Sequence, residues 1–136
     1  MTSETHPSRR WRRIALIACI GSWAAAFVGT HGPLPEFPPS IDVSDKSLHV
    51  LGYFALTAVF WLTLLAFGKG GLTRINAAVI VIPIYGILDE ITQPLFHRWA
   101  SVHDWVADLC GIVIAVTVLE AAVSFRRTVK RRKSND

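Results

Sequence analysis

The feature that most constrains this chain is a run of 20 residues, 48–67, that contains no Asp, Glu, Lys or Arg. As an α-helix rising about 1.5 Å per residue, the run is about 30 Å long, which is the thickness of the hydrocarbon core of a bilayer. A helix of a soluble bundle carries one apolar stripe with polar residues opposite it, whereas this run is apolar on all sides. It therefore predicts a membrane-spanning helix.

Three more apolar blocks occupy residues 14–30, 75–91 and 102–125 of the 136-residue chain. The first of these blocks is also uncharged, and the other two carry acidic residues near their ends. Together the four blocks predict a fold of the all-α class, an integral membrane bundle of four transmembrane helices.

The tails and connections divide the chain into three parts. We expect residues 1–13 to be a disordered basic N-terminal tail, residues 14–125 to be the four-helix transmembrane domain, and residues 126–136 to be a basic C-terminal tail. Within the domain, the proline-rich residues 31–47 and the glycine-rich residues 68–74 predict connections that cannot continue a helix.

The basic residues predict the orientation. Twelve of the 14 Lys and Arg residues lie in the two tails and in the 68–74 turn, which an even number of spans places on one side of the membrane. The other side receives only Lys46 and Arg98, so the positive-inside rule puts both termini in the cytoplasm. An alternative for the N-terminus is a cleaved secretory signal, since a basic region and an apolar stretch lead to Ala24-Ala25-Ala26. Cleavage would leave three spans.

The composition argues against several other classes of protein. The net charge of +4 comes from basic residues beside apolar blocks, without an RNA- or DNA-binding motif, so no nucleic-acid partner is predicted. Cys19 and Cys110 lie inside apolar blocks without ligand spacing, which indicates neither a disulfide framework nor a zinc site. No cofactor is predicted, and the oligomeric state stays open.

Polar residues of the last three spans concentrate at one level, the predicted outer edge of the membrane. A charged group inside a span costs about 2.5–3.5 kcal/mol on insertion scales, so these groups are expected to face the bundle interior or water. Spacings of three, four and seven residues place several of them on shared helix faces. They predict an outward-open polar pocket between the second, third and fourth helices, whereas the cytoplasmic ends carry no such set apart from Glu120 and the basic flanks. The members of the set are Asp45, Lys46, His49, Tyr53, Asp89, Glu90, Gln93, Arg98, Ser101, Asp104 and Asp108.

An ordered combination of motifs runs through the same region. It consists of Asp45-Lys46 followed by His49 and Tyr53, then Tyr-Gly-Ile-Leu-Asp-Glu at residues 85–90 with Gln93, then Arg98, Ser101, Asp104, Asp108 and Gly111. This combination resembles the VanZ-like membrane family, of the teicoplanin-resistance type, over about residues 40–115. The resemblance implies a multi-pass protein of the bacterial inner membrane with a link to glycopeptide antibiotic resistance, and it supplies no reaction. Many members carry Asn where this chain has Asp108, which favours a hydrogen-bonding role there over a strictly anionic one.

Three interpretations of the polar set stay open, and with them the question of whether the chain is an enzyme. The first is ligand handling at the outer leaflet, with a membrane lipid or a lipid-linked anionic envelope precursor as the ligand. The second is a non-enzymatic envelope assembly or interaction protein, whose polar cluster only locks the helices together. For the first interpretation, the candidate acid–base residues are His49, Glu90 and Asp104, and the candidate ligand-binding residues are Asp45, Lys46, Tyr53, Gln93, Arg98, Ser101 and Asp108.

The third interpretation is a metal site formed by His49, Glu90, Asp104 and Asp108. A metal-binding helix can often be recognised in a sequence by two histidines at a fixed spacing, as in the HExxH motif. No HxxxH or HExxH run is present, so the sequence assigns no metal ligand.

Overall fold

The structure is a computed structural model that describes residues 8–32 and 44–134. Within these residues it consists of helices joined by short connections, without a strand. Four of the helices are long and apolar enough to cross a membrane, which confirms the all-α bundle of four transmembrane helices. They are α1 (Arg9–His31), α2 (Asp45–Ala66), α3 (Gly71–Thr92) and α4 (Val102–Lys133), and a short 3-10 helix (Gln93–Phe96) follows α3.

Two helices extend further into the tails than the sequence analysis predicted. Helix α1 begins at Arg9, so residues 9–13 form its first turns instead of belonging to a disordered tail. Arginine is a good helix former, so residues 9–13 can continue the helix of the adjoining apolar run towards the N-terminus. Helix α4 continues to Lys133, and its 32 residues measure about 48 Å, so its basic last turns continue beyond the length of one span. Residues 1–7 of the predicted N-terminal tail and residues 33–43, most of the proline-rich connection, lie outside the described residues.

Serine side chains cap the N-termini of α2 and α4, the two helices that carry most of the polar set. The Ser44 hydroxyl accepts a hydrogen bond from the Ser47 amide at 3.2 Å at the start of α2, and the Ser101 hydroxyl accepts one from the Asp104 amide at 3.4 Å at the start of α4. Each bond satisfies one of the amides that the first turn of a helix leaves without a partner. Because Ser44 caps α2, the neighbouring Asp45 side chain is available for another contact.

The bundle is apolar outside and partly polar inside. Large apolar side chains are exposed on every helix, among them Ile17, Leu51, Ile80 and Val113, as expected for surfaces that face lipid. The buried apolar core is small and centres on Tyr53, Leu56, Ile82 and Ile112. Among the described residues, ten polar or charged residues are buried, against nine hydrophobic ones, and most of the ten lie at one end of the bundle.

Helix α2 packs most extensively against α4. The closest approach is at Gly111, where an added Cβ would meet the Val50 carbonyl oxygen and would lie 2.9 Å from the Phe54 amide nitrogen. Only a glycine allows two helix backbones to approach so closely. Since His49 lies beside Val50 and Asp108 lies one turn before Gly111, this contact also sets the distance between those two side chains.

The two ends of the bundle differ in charge. The acidic end, as we call it, holds the start of α2, the end of α3 and the start of α4, with Asp45, Glu90, Asp104 and Asp108. The opposite, basic end holds the start of α1, the end of α2, the start of α3 and the end of α4. Helix α1 is the least buried of the four helices and packs on α2, where the Thr63 hydroxyl lies 3.1 Å from the Ala15 carbonyl oxygen.

Candidate functional site at the acidic end

The centre of the acidic end is a hydrogen-bonded pair from α2 and α4. The Nδ1 atom of His49 donates to Oδ1 of Asp108 at 2.8 Å, and the two residues are 4% and 0% exposed. The Tyr53 ring lies nearly parallel to the His49 ring, with the ring centroids 6.5 Å apart and the planes at 13°. Among the described residues, neither Oδ2 of Asp108 nor the Tyr53 hydroxyl has a hydrogen-bond partner. Buried polar atoms are normally paired, so these two are unusual.

Glu90 connects the end of α3 to the start of α4. Its Oε2 atom accepts a hydrogen bond from the Ser101 amide at 2.7 Å, and its Oε1 atom accepts one from the Gln93 side chain at 3.3 Å. Glu90, His49 and Asp108 each place one potential ligand atom within 4.8 Å of the other two. The spans thus bring three separate sequence segments into one buried group.

Asp45 and Arg98 form the rim of the site. One Arg98 nitrogen, Nη2, lies 3.3 Å from Oδ1 and 3.4 Å from Oδ2 of Asp45, and its Nη1 donates to the Gly32 carbonyl oxygen at 3.2 Å. Both side chains of the ion pair are partly exposed. Asp104 lies close to this rim, because Asp45, His49 and Asp104 form a second group with ligand atoms within 4.8 Å of one another.

Lys46 is the one predicted site residue that the structure does not bring into this cluster. It is exposed, and it makes no hydrogen bond or ion pair with any part of the chain that the structure describes. Spacings of three and four residues place Lys46, His49 and Tyr53 on one face of α2, but only His49 and Tyr53 are buried. Lys46 lies on the first turn of α2, where a long side chain reaches the polar surroundings of the helix end.

Helix α1 contributes contacts that the sequence analysis missed. The Thr30 hydroxyl donates to Oδ1 of Asp89 at 2.8 Å, and His31 Nε2 lies 2.9 Å from the Thr92 hydroxyl. The prediction placed the pocket between the other three helices and gave Asp89 no role of its own. One signal was present: Thr30 ends the first apolar block and His31 directly follows it, at the level of the polar set.

The basic end carries a buried cluster formed by Glu120 and by Arg74, one of the basic flanking residues that the prediction had set apart. Arg74 is 1% exposed, and its Nη2 donates to Oε1 of Glu120 at 3.1 Å. The Trp61 indole donates to the same oxygen at 2.8 Å, and the Arg74 guanidinium lies 4.3 Å from the Trp61 ring centroid. Sequence counting assigned Arg74 to a cytoplasmic turn, but it lies on the first turn of α3 and points into the bundle.

A cavity of about 560 Å³ opens between α1 and α2 and reaches the polar cluster. Its polar end is lined by Thr30, Asp45, His49 and Arg98. The remaining lining is mostly small or apolar: Ser22, Ala25, Ala26, Val28, Gly29, Gly32, Leu48, Gly52, Tyr53, Ala55, Leu56 and Val59. The larger cavity thus lies on the α1 side of His49, whereas the predicted pocket lay between the second, third and fourth helices.

A smaller cavity, of about 380 Å³, lies between α3 and α4, with Glu90 and Ser101 at its polar side.

The fold and the lengths of its helices define the class of this chain as a multi-pass membrane protein. Comparison with family models, with curated proteins and with solved structures finds no match.

Proposed function

We propose that this chain is a VanZ-like protein of the bacterial inner membrane, with both termini in the cytoplasm, that binds a lipid-linked or anionic ligand of the cell envelope at its acidic end. The observation that carries the proposal is the cavity between α1 and α2, because it joins a charged rim to a long apolar lining. A ligand with a phosphate headgroup and a hydrocarbon chain has the same division into two parts.

The cavity suits such a ligand in size and in lining. Its volume of about 560 Å³ lies within the range of about 300–1,000 Å³ that is typical of small-molecule sites. The absence of side chains at Gly29 and Gly52 leaves room along the groove for an acyl or prenyl chain. A chain seated there would exchange contact with lipid for contact with protein, so the headgroup contacts would supply most of the selectivity.

The rim offers a cation for the headgroup. Arg98 engages Asp45 through Nη2 and the Gly32 carbonyl oxygen through Nη1, and each of these two nitrogens carries a second hydrogen that it can donate to a phosphate oxygen. His49 lies at the inner side of the same rim, and Asp108 orients its ring. An imidazole held in this way by a carboxylate is an arrangement that general acid–base catalysis uses, with Glu90 and Asp104 as neighbouring carboxyl groups.

A non-enzymatic role in envelope assembly is the second candidate, because many of the polar groups satisfy one another. Asp45 pairs with Arg98, and both Glu90 oxygens have protein donors. In this case the cluster only fixes the helices, and the groove carries no specific ligand.

A binding experiment tests the proposal directly. The purified chain in mild detergent is mixed with a polyprenyl phosphate, and the bound fraction is measured by native mass spectrometry. Gly52→Leu places a side chain into the groove, where the Cβ position itself has no neighbour within 4 Å, and is expected to lower the bound fraction at least about tenfold. Gly21→Leu is the matched control, because its Cβ is equally free and Gly21 does not line the cavity. Equal binding by the two variants would contradict the proposal.

A cellular experiment separates the functional site from the structural cluster. His49→Gln and Arg98→Gln are each expressed in place of the natural chain, and membrane accumulation is measured together with sensitivity to glycopeptide antibiotics. We expect both variants to accumulate normally and to change the sensitivity. Loss of accumulation in both variants would favour the assembly role.

A further inference from the structure

We propose that His49, Glu90 and Asp108 form a binding site for a divalent transition-metal ion such as Zn²⁺ or Mn²⁺, with Asp104 available as a further ligand. This site goes beyond the proposed lipid binding and does not depend on it. The sequence assigned no metal ligand, because the three residues belong to three different helices and share no local motif.

The spacing of the three side chains fits an ion after a small adjustment. One potential ligand atom from each residue lies within 4.8 Å of the other two. The centre of a triangle with sides of that length is at most about 2.8 Å from each corner, and zinc binds nitrogen and oxygen at about 2.0–2.2 Å. Each side chain therefore has to move by less than about 1 Å, which rotation about its terminal bonds provides.

An unpartnered buried oxygen gives independent support. Asp108 is 0% exposed, and its Oδ2 has no hydrogen-bond partner among the described residues, although Oδ1 is held by His49. A buried carboxylate oxygen without a donor is costly, and a cation supplies what it lacks. Oδ2 faces Gly86, where an added Cβ would lie 3.4 Å away, and Gly86 has no side chain that could donate a hydrogen bond to it.

The charge around the group points to a cation. The carboxyl groups of Glu90, Asp104 and Asp108 lie near His49, and the nearest guanidinium, that of Arg98, already pairs with Asp45. Charged groups within a membrane bundle are normally paired with one another, and here carboxylates outnumber cations. A divalent ion at the centre would balance two of them.

The donor set indicates which ions the site would take. Imidazole nitrogen favours zinc and related transition metals, and carboxylate oxygen also suits manganese. The alternative group of Asp45, His49 and Asp104 shares the same histidine, but Asp45 is partly exposed and paired with Arg98. We therefore assign the ion to the inner group, in which all three residues are buried.

The test measures metal on the full chain. Protein purified in mild detergent is treated with a chelator, dialysed against ZnCl₂ or MnCl₂ and then against metal-free buffer, and analysed by inductively coupled plasma mass spectrometry. We expect about one ion per wild-type chain, and at least tenfold less bound metal per chain in Asp108→Asn and in His49→Gln. His103→Gln is the control for the histidine, because His103 is exposed on the first turn of α4.

Glu120→Gln is the control for the carboxylate. Glu120 lies at the basic end, in contact with Arg74 and Trp61, so its replacement perturbs the bundle without touching the proposed ligands. Retained metal in this variant would separate loss of a ligand from general destabilisation. Metal loss equal to that of Asp108→Asn would overturn the assignment.

Two further outcomes would also overturn the proposal. One is less than about 0.1 ion per wild-type chain with either metal, and the other is a metal content in Asp108→Asn equal to that of the wild-type chain. Where Asp108→Asn does not give a monodisperse protein, the wild-type chain with one equivalent of CoCl₂ decides. Visible absorption bands of protein-bound Co²⁺ that Zn²⁺ removes support the site, and a spectrum identical to that of aqueous Co²⁺ contradicts it.

Discussion

The close contact at Gly111 makes the stability of the bundle sensitive to a single methyl group. In Gly111→Ala the new Cβ would lie 2.9 Å from the Phe54 nitrogen and closer still to the Val50 carbonyl oxygen. Ordinary contact begins at 3.4 Å, so the Phe54 backbone alone would have to retreat by about 0.5 Å. Both atoms belong to the backbone of α2, which cannot rotate away as a flexible side chain can, so the two helices must separate.

We expect this separation to cost about 1–3 kcal/mol, the range found when atoms are added to a well-packed core. A loss of about 2 kcal/mol changes the ratio of folded to unfolded protein by a factor of roughly 30. Gly86→Ala should cost less, because its nearest neighbours are side-chain atoms at 3.2–3.4 Å from Trp105, Asp108 and Tyr53. Gly21→Ala, with nothing within 4 Å, should be neutral or slightly stabilising.

The assay is unfolding by added sodium dodecyl sulfate in mild-detergent micelles, followed by tryptophan fluorescence. The expected order of stability is Gly21→Ala, then Gly86→Ala, then Gly111→Ala. Because Gly21→Ala carries the same change in intrinsic helix propensity, its difference from Gly111→Ala isolates the contact between α2 and α4. Equal stability of these two variants would refute the inference that the backbones meet at Gly111.

Two other predictions concern the basic end and the orientation of the chain. Arg74→Met removes the buried partner of Glu120 and should cost about 2–3 kcal/mol in the same unfolding assay, less than the roughly 3–5 kcal/mol of a fully buried pair because the Glu120 side chain is 21% exposed. The double variant Arg74→Met with Glu120→Met should recover at least half of that loss, and a double variant as unstable as the sum of the two single changes would show that the pair is not coupled. For orientation, a chain with Cys19→Ala and Cys110→Ala receives either Lys46→Cys or Lys69→Cys, both at exposed positions. A membrane-impermeant maleimide should label position 46 on intact cells and position 69 only after permeabilisation, and the reverse pattern would contradict cytoplasmic termini.

The structure brings most of the predicted site residues together because helical periodicity fixes which residues share a face. Asp104, Asp108 and Gly111 follow one another at steps of three and four residues, and the structure buries all three on the side of α4 that faces α2. The same reasoning did not hold for Lys46, since periodicity gives a direction around the helix axis but does not say whether a neighbouring helix reaches that level. It also could not show that Arg74 is buried, because a basic residue beside a span has the same sequence signature whether it faces water or Glu120.

The sequence by itself determined the class of the fold, since length and hydrophobicity act locally: an uncharged run of 20 residues has one favourable state in a bilayer whatever its neighbours are. It also determined the level at which the polar residues lie, since position along a helix is a matter of counting residues. Only the tertiary structure decided which polar atoms meet. The contact between His49 and Asp108, the placement of Thr30 against Asp89 and the cavity between α1 and α2 depend on the rotation and separation of whole helices. Those quantities come from packing between residues that are about 60 positions apart, as at Gly111 and Val50, and no local pattern in the chain specifies them.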